Sequence, residues 1–414
     1  MFKIGNVEVS ELKEKYGTPL YIYDENIIKQ NINDYKEGFV SKNYNTQIIY
    51  ASKAFSSLYM YKLVREENIG VDVVSGGELY GVIKEKVDPK NIFFHGNNKG
   101  EAEMDMALSY KVKNIIIDNL DELKIWAKKC ERIDYDLNLM LRINVGVSAH
   151  THEYIVTAHP DSKFGYYIEN DDILESIELI EASKNMKFKG FHFHVGSQIF
   201  DMTGFTIAIE KLFGLIKKIN RKISYLNLGG GCGVKYTEDD KPLSLIDFSK
   251  IIIEKVDSEL EKANIKIDKL FIEPGRSLVA NAGYQLYTIN QMKKALNKTY
   301  YFIDGGMNDN IRPALYGALY SVDIANKMDA KKDMEVSIAG KCCESGDVLF
   351  KDVKLPKADK DDLLIVYTTG AYGYSMASNY NRLPRPAVVF VDGNNSKLVI
   401  KRETYEDLYK NDLD

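Results

Sequence analysis

The chain has 414 residues, 45% of them hydrophobic, and its 60 acidic and 55 basic side chains leave a formal net charge of −5. That length predicts two or three domains, and the scattered lysines and arginines with a mild acidic excess argue against a nucleic-acid surface. Cys130, Cys232, Cys342 and Cys343 are too few and too scattered for a disulfide scaffold, no C-x-x-C pair suggests structural zinc, and no run approaches the roughly 20 apolar residues of a membrane span.

At the start, Phe2–Ile4 and Val7–Val9 flank Gly5-Asn6 and read as a small hairpin. Leu20–Tyr23 is strand-like, and Asp24 then caps a helix to about Phe39. Eight short apolar runs follow, each ending in a polar or glycine cluster. They are Ile48–Tyr50 before Lys53, Val71–Val74 before Ser75-Gly76-Gly77, Ile92–Phe94 before His95-Gly96-Asn97, and Ile115–Ile117 before Asp118-Asn119. Then come Leu137–Ile143 before Asn144, Gly190–Phe193 before His194, Tyr225–Leu228 before Gly229-Gly230-Gly231, and Leu270–Ile272 before Glu273-Pro274-Gly275-Arg276. Helix-like stretches separate the runs. Eight β-then-α units predict an α/β fold, a (β/α)8 TIM barrel with its active site at the C-terminal ends of the strands. The insert Val145–Phe164, rich in His and Thr, is the kind of strand-to-helix loop that carries function.

After Gly283 the texture changes. Tyr284–Met292, Tyr300–Asp304, Glu335–Ala339, Val348–Val353, Leu363–Tyr367, Val388–Val391 and Leu398–Lys401 are strand-like and separated by turn residues. They predict a C-terminal all-β domain, sandwich- or barrel-like. The division is a barrel over 25–275 and a β domain over 276–414, with the N-terminal strands of 1–24 joining the latter.

Lys53, just past the first strand, would face the barrel's pocket, where desolvation makes an amine nucleophilic and fit for Schiff-base chemistry; the alternative is an ordinary surface lysine. His192 and His194 alternate along one strand and so point to the same side. Such a pair suits a metal, but no histidine follows His194 to complete a site, so no metal is expected. The other reading packs one imidazole flat on an aromatic cofactor. Gly229-Gly230-Gly231 can cradle an anion with backbone N–H groups, in the strand-seven and strand-eight region that favours phosphate, beside Arg276. A lysine with a phosphate site suggests pyridoxal 5'-phosphate, with Glu273 at the pyridinium nitrogen; a structural Glu273–Arg276 pair is the alternative. Farther on, Lys341-Cys342-Cys343-Glu344-Ser345-Gly346-Asp347 offers thiols able to move a proton. Arg312-Pro313-Ala314-Leu315-Tyr316 and Gly370-Ala371-Tyr372-Gly373-Tyr374 pair arginine with tyrosine, as a carboxylate ligand would require.

Together these motifs resemble the fold-type III, pyridoxal-phosphate-dependent decarboxylases. The carrying segments are Tyr50–Ala54, Asp72–Leu79, Ser162-Lys163-Phe164-Gly165, His192–Gln198, Asn227–Gly231, Glu273–Arg276, Asp304–Asn308, Arg312–Tyr316, Cys343–Asp347 and Gly370–Tyr372, in order from about Tyr21 to Leu408. The resemblance implies that Lys53 carries the cofactor, His194 stacks on its ring and Glu273 partners its nitrogen. It implies a phosphate-binding set of Ser197, Gly229, Gly230, Gly231, Gly275, Arg276 and Tyr372, with Pro274 also in the cofactor-binding site. Arg276, Arg312, Tyr316, Glu344 and Tyr372 would hold the substrate's distal amino-acid end, and Cys343 would donate the proton. Cys343 and Glu344 would reach the partner's pocket, so a homodimer with shared active sites is implied. The family's asparagine after Lys-Ala is Phe55 here, its threonine-glycine pair is Thr157-Ala158, and Cys342 duplicates the thiol beside Cys343.

Within that family the resemblance implies decarboxylation of meso-2,6-diaminopimelate at its D centre to L-lysine and carbon dioxide, the last step of lysine biosynthesis. The alternative is a relative acting on D-lysine or D-ornithine, which would not need Arg312 for a distal carboxylate. An N-terminus without a signal-peptide pattern completes the expectation of a cytoplasmic enzyme with a small-molecule partner and neither nucleic acid nor membrane.

Overall fold

The computed structural model describes residues 1–147 and 162–413. The eight runs form eight parallel strands: β1 Asn45–Ala51, β2 Gly70–Val73, β3 Ile92–Phe94, β4 Asn114–Ile117, β5 Leu137–Asn144, β6 Met186–His192, β7 Tyr225–Asn227 and β8 Lys269–Ile272. They pair in chain order, and β8 closes on β1 with Leu270 opposite Thr46 and Ile272 opposite Ile48. The runs are nearly continuous in Ile, Val, Leu and Phe because a closed parallel sheet is covered on both faces. Ile49, Phe93, Ile116, Met140 and Phe271 fill the interior as a packed cluster, so the barrel has a core and not a pore. The β5–β6 register slips between Phe188 and Gly190. At Gly190 (φ +144°) a Cβ would lie 2.0 Å from the Tyr225 carbonyl oxygen, which leaves room only for glycine.

Short polar residues start the intervening helices. Ser57, Ser75, Asn119 and Ser244 cap helices Leu58–Glu66, Gly76–Lys84, Leu120–Cys130 and Leu245–Ala263 by accepting from backbone N–H groups. Each cap of this kind contributes about 1 kcal/mol. Ser75-Gly76-Gly77-Glu78 is thus a helix start: Ser75 Oγ accepts from Glu78 N, and Glu78 Oε2 accepts from Val74 N.

The chain forms two compact units: the barrel unit of Asn31–Gly233 and Pro242–Ser277, and a second unit of Met1–Gln30, Val234–Lys241 and Leu278–Asp414. The second unit is built on a mixed sheet. Its spine is the twelve-residue strand Gly283–Lys294, which pairs with Leu20–Asp24, Leu363–Val366 and Thr299–Ile303. Leu20–Asp24 lies between that strand, antiparallel, and Ala387–Asp392, parallel. The first hairpin, Lys3–Ile4 with Val7–Glu8, pairs only with itself and joins the unit by packing Ile4 and Val7 against Ile22, Leu286 and Val389. Short helices, Val9–Tyr16, Arg312–Tyr316 and Tyr405–Tyr409, accompany the sheet. It also has a strand that the sequence did not suggest, Val322–Ile324, with Asp323 breaking its apolar run.

Candidate active site

Glu273 is the first residue past β8, and its carboxylate is buried. Three strand ends supply its neighbours. Asn227, closing β7, donates Nδ2–H to Oε1 at 2.7 Å. His192, closing β6, meets Oε2 through Nε2 at 3.1 Å. His95, just past β3, brings Nε2 to 2.8 Å from Oε1, a close electrostatic contact that is off the line of a hydrogen bond. Burial alone would raise the Glu273 pKa, but His95 and then His192 outweigh it and hold the carboxyl well below its ordinary value. Burial also pushes His192 down to about 4, partly offset by Glu273. His192 is therefore neutral with its proton on Nε2, and its buried Nδ1 has no hydrogen-bond partner.

Asp72 sits near the end of β2 with a second orphaned oxygen, Oδ1. Burial pushes its carboxyl up to about 7; His95 and Lys53 oppose the rise and Glu273 adds to it. The floor of this cradle thus carries one firmly ionised carboxylate, one easily protonated carboxyl and a neutral imidazole.

Lys53 lies in the single turn Ser52–Ala54 after β1 and is exposed, not desolvated as the sequence suggested. His194 lies two residues past β6, and it and His192 serve different partners, Gly230 N and Glu273. His194 Nδ1 accepts from Gly230 N at 3.3 Å, which puts the ring proton on Nε2. Its half-buried ring is surrounded closely enough that desolvation, with the positive charges of Lys53 and Arg142, pushes its pKa down to about 3. His95, His192 and Glu273 do hold their ligand atoms within 4.8 Å of one another, all buried.

The glycines shape the cradle by absence. A Cβ at Gly229 (φ +65°) would lie 2.5 Å from Phe193 O, and one at Gly230 would lie 2.2 Å from Glu273 O. Among the described residues the Gly231 N–H has no partner, so it is available to an anion. Gly275 follows Pro274 and packs on Ala51, where a Cβ would meet the alanine's own at 2.9 Å. Arg276 reaches Ser197 Oγ with Nε and Nη2. An ionised carboxylate, a neutral ring, a reachable amine and a glycine turn beside an arginine fit an aromatic, phosphorylated cofactor with a protonatable ring nitrogen. The orphaned Asp72 and His192 atoms are those of a cradle built to meet a ligand.

In the second unit, Arg312 donates from Nε to Tyr320 Oη at 2.8 Å, with its guanidinium 5.5 Å from the Tyr316 ring centre and 5.4 Å from that of Tyr372. Tyr372 takes a left-handed backbone, φ +64°. On the loop Cys342–Asp347, Asp347 accepts from Met307 N and Cys342 N and fixes the turn. Cys342 is buried, and burial pushes its thiol up to about 12, whereas Cys343 and Glu344 are exposed. The insert's His150, His152, Thr157 and Ala158 lie outside the described residues. Asp72, His95, Arg142 and Asn227 are site residues to which sequence reasoning gave no role; their common signal is a place at or beside a strand's C-terminal end.

Residues 25–280 match the family described as pyridoxal-dependent decarboxylase, pyridoxal binding domain. The chain is 48% identical to the diaminopimelate decarboxylase of Bacillus subtilis over 99% of this chain and 95% of the relative. Among solved structures it is similar to the diaminopimelate decarboxylase of M. jannaschii in complex with L-lysine (TM-score 0.92, 33% identity, 100% of this chain and 97% of that one). It is also similar to that of Helicobacter pylori complexed with L-lysine (TM-score 0.87, 31% identity, 97% and 98%). Whole-length identity of this order, together with a cradle that fits pyridoxal phosphate, establishes that the chain belongs to the diaminopimelate decarboxylase family of pyridoxal-phosphate-dependent enzymes.

Proposed function

We propose that this chain decarboxylates meso-2,6-diaminopimelate at its D centre and releases L-lysine and carbon dioxide, the last step of lysine biosynthesis. The observation that carries the reading is the 48% identity over 99% of the chain with a relative of that activity. Bound pyridoxal phosphate supplies a ring that accepts the electron pair left when the carboxylate departs.

The chain's own residues do the rest. Glu273, kept ionised by its three neighbours, holds a proton at the ring nitrogen. Lys53 supplies the amine that retains the cofactor and yields to the substrate's amine. His194 presents a neutral face, which adds no positive charge beside the electron-accepting ring. Ser197, Arg276, Tyr372 and the Gly231 N–H hold the phosphate, in a turn whose close approach Gly229, Gly230 and Gly275 allow, and Pro274 lines the cofactor site beside them. Arg312, Tyr316, Glu344, Tyr372 and Arg276 bind the distal amino-acid end, where a carboxylate needs a planar cation and an ammonium needs a carboxylate. Cys343 returns the proton to carbon.

We further propose that the protein is a homodimer in which Cys343 and Glu344 serve the partner's site, a reading supported by their exposure on a loop pinned through Asp347. A cytoplasmic location is supported by four cysteines left as free thiols; among the described residues no helix is long and apolar enough to cross a membrane.

The test is product analysis of the cofactor-loaded protein with meso-diaminopimelate, D-lysine, D-ornithine and L-lysine, alongside sedimentation analysis. Preference for meso-diaminopimelate with release of L-lysine is expected. Preference for D-lysine or D-ornithine would keep the cofactor chemistry but overturn the substrate and the role of Arg312, and a monomer at working concentration would overturn the shared site.

A further inference from the structure

Asn227, the last residue of β7, is completely buried and bonds in two directions. Its Nδ2 donates to Glu273 Oε1 at 2.7 Å, and its Oδ1 accepts from Gly229 N at 3.0 Å. These partners fix the orientation of the amide, because a carboxylate can only accept and a backbone N–H can only donate. Gly229 opens the glycine turn at φ +65°, and the next N–H, on Gly230, donates to His194 Nδ1. Backbone ties the two strands at the same level, with Glu273 N donating to Gly229 O at 2.8 Å.

We propose that Asn227 is a positioning residue that couples the two ends of the cofactor cradle. One amide aims the Glu273 carboxylate at the ring-nitrogen end and holds Gly229 at the phosphate end. Its loss therefore weakens both ends together, although Asn227 itself need touch neither cofactor nor substrate. The proposal rests on the cofactor reading above. Its physical basis is that no neighbour replaces either bond. Without Asn227, Oε1 keeps only the off-line approach of His95, and Gly229 N becomes a buried donor with no partner, which is costly. Aspartate separates the two bonds: it keeps an oxygen for Gly229 N but turns a second carboxylate toward Glu273.

The test compares equilibrium binding of pyridoxal 5'-phosphate and of pyridoxal, which lacks the phosphate, to the full-length cofactor-free protein, read by visible absorbance. For Asn227→Ala we expect pyridoxal to bind about tenfold or more weakly, and the preference for the phosphorylated form to fall by about tenfold as well. For Asn227→Asp we expect the loss for pyridoxal but a phosphate preference within about twofold of wild type. The bound cofactor's absorbance in that variant should also depend on pH near neutrality, because two facing carboxylates share a proton. A purely structural asparagine would not move that spectral titration. An Asn227→Ala protein with either number unchanged overturns the coupling, as does an Asn227→Asp protein whose absorbance follows pH as wild type does. If Asn227→Ala does not fold, the aspartate variant decides alone. A wild-type protein that takes up neither compound overturns the cofactor reading together with the coupling; normal wild-type uptake with an unaffected variant overturns the coupling alone.

Discussion

Arg276 aims two guanidinium nitrogens, Nε at 3.1 Å and Nη2 at 3.0 Å, at the single hydroxyl oxygen of Ser197. An oxygen that accepts from both leaves its own O–H free to donate elsewhere, so the pair presents a cation and a hydroxyl donor together. Ser197→Ala should weaken pyridoxal-phosphate binding by about tenfold and pyridoxal binding hardly at all. Arg276→Lys should cost more, since an ammonium cannot reproduce the fork. Titration of the cofactor-free variants with both compounds checks this; equal losses for both would be inconsistent with a phosphate role.

Two glycines give opposite expectations for the same substitution. Gly230→Ala drives a Cβ to 2.2 Å from the Glu273 carbonyl oxygen, backbone that cannot swing aside, and should destabilise the protein by about 3 kcal/mol. Gly214, inside helix Thr203–Ile219, has nothing within 4 Å of its missing Cβ. Gly214→Ala should stabilise by about 0.5–1 kcal/mol. Urea unfolding of the two variants beside wild type measures both.

His192 provides a pH test. Its pKa falls from 6.5 to about 4 on folding, so between those values the unfolded chain carries a proton that the folded chain lacks. Stability from this group is complete above pH 6.5, falls as the pH drops toward about 4, and is constant below. His192→Gln removes the term. The stability of wild type relative to that variant should therefore shrink on acidification, by up to about 1.4 kcal/mol per pH unit in this window. Unfolding curves at pH 7, 6 and 5 read the difference; a gap that widens toward acid would contradict the neutral, buried ring.

The thiolate is the reactive form of cysteine, and three of the four thiols are buried with pKa values pushed up to about 12: Cys130, Cys232 and Cys342. One equivalent of an aromatic disulfide reagent should therefore react quickly with native protein, and Cys343→Ser should abolish that phase. Two fast equivalents would mean that the Asp347-pinned turn opens enough to release Cys342. Slowing by L-lysine is expected only if Cys343 borders a substrate site.

Much of the barrel was legible because each strand is a dense apolar run and each run stops at a polar residue or a glycine. Lys53 and Glu273 could be picked out as candidates for the same reason, being the first charged side chains after β1 and β8. The cage around Glu273 was not legible. His95, His192 and Asn227 are distant in sequence and converge only because β3, β6, β7 and β8 close into one ring, a relation that spacing along the chain does not carry. Alternation alone extends the strand to His194, whereas backbone pairing ends one residue earlier, with Phe193 N donating to Asn227 O. The exposure of Lys53 between the buried Ser52 and Ala54 is set by the turn Ser52–Ala54, which composition does not encode. Val322–Ile324 escaped because three residues around an aspartate are too short to show a period.

The strand Leu20–Asp24 has a consequence for how the protein is made. Both of its hydrogen-bonded neighbours, Gly283–Lys294 and Ala387–Asp392, are translated long after it. At ordinary ribosomal speeds the interval is on the order of tens of seconds. Every strand of the barrel emerges within that interval, while an early segment rich in large apolar and aromatic side chains has both edges open. Such an edge is a template for the wrong partner, including the same strand on a neighbouring nascent chain. Crowded polysomes and truncated messages ending before Ala387 are therefore the circumstances in which this protein would aggregate.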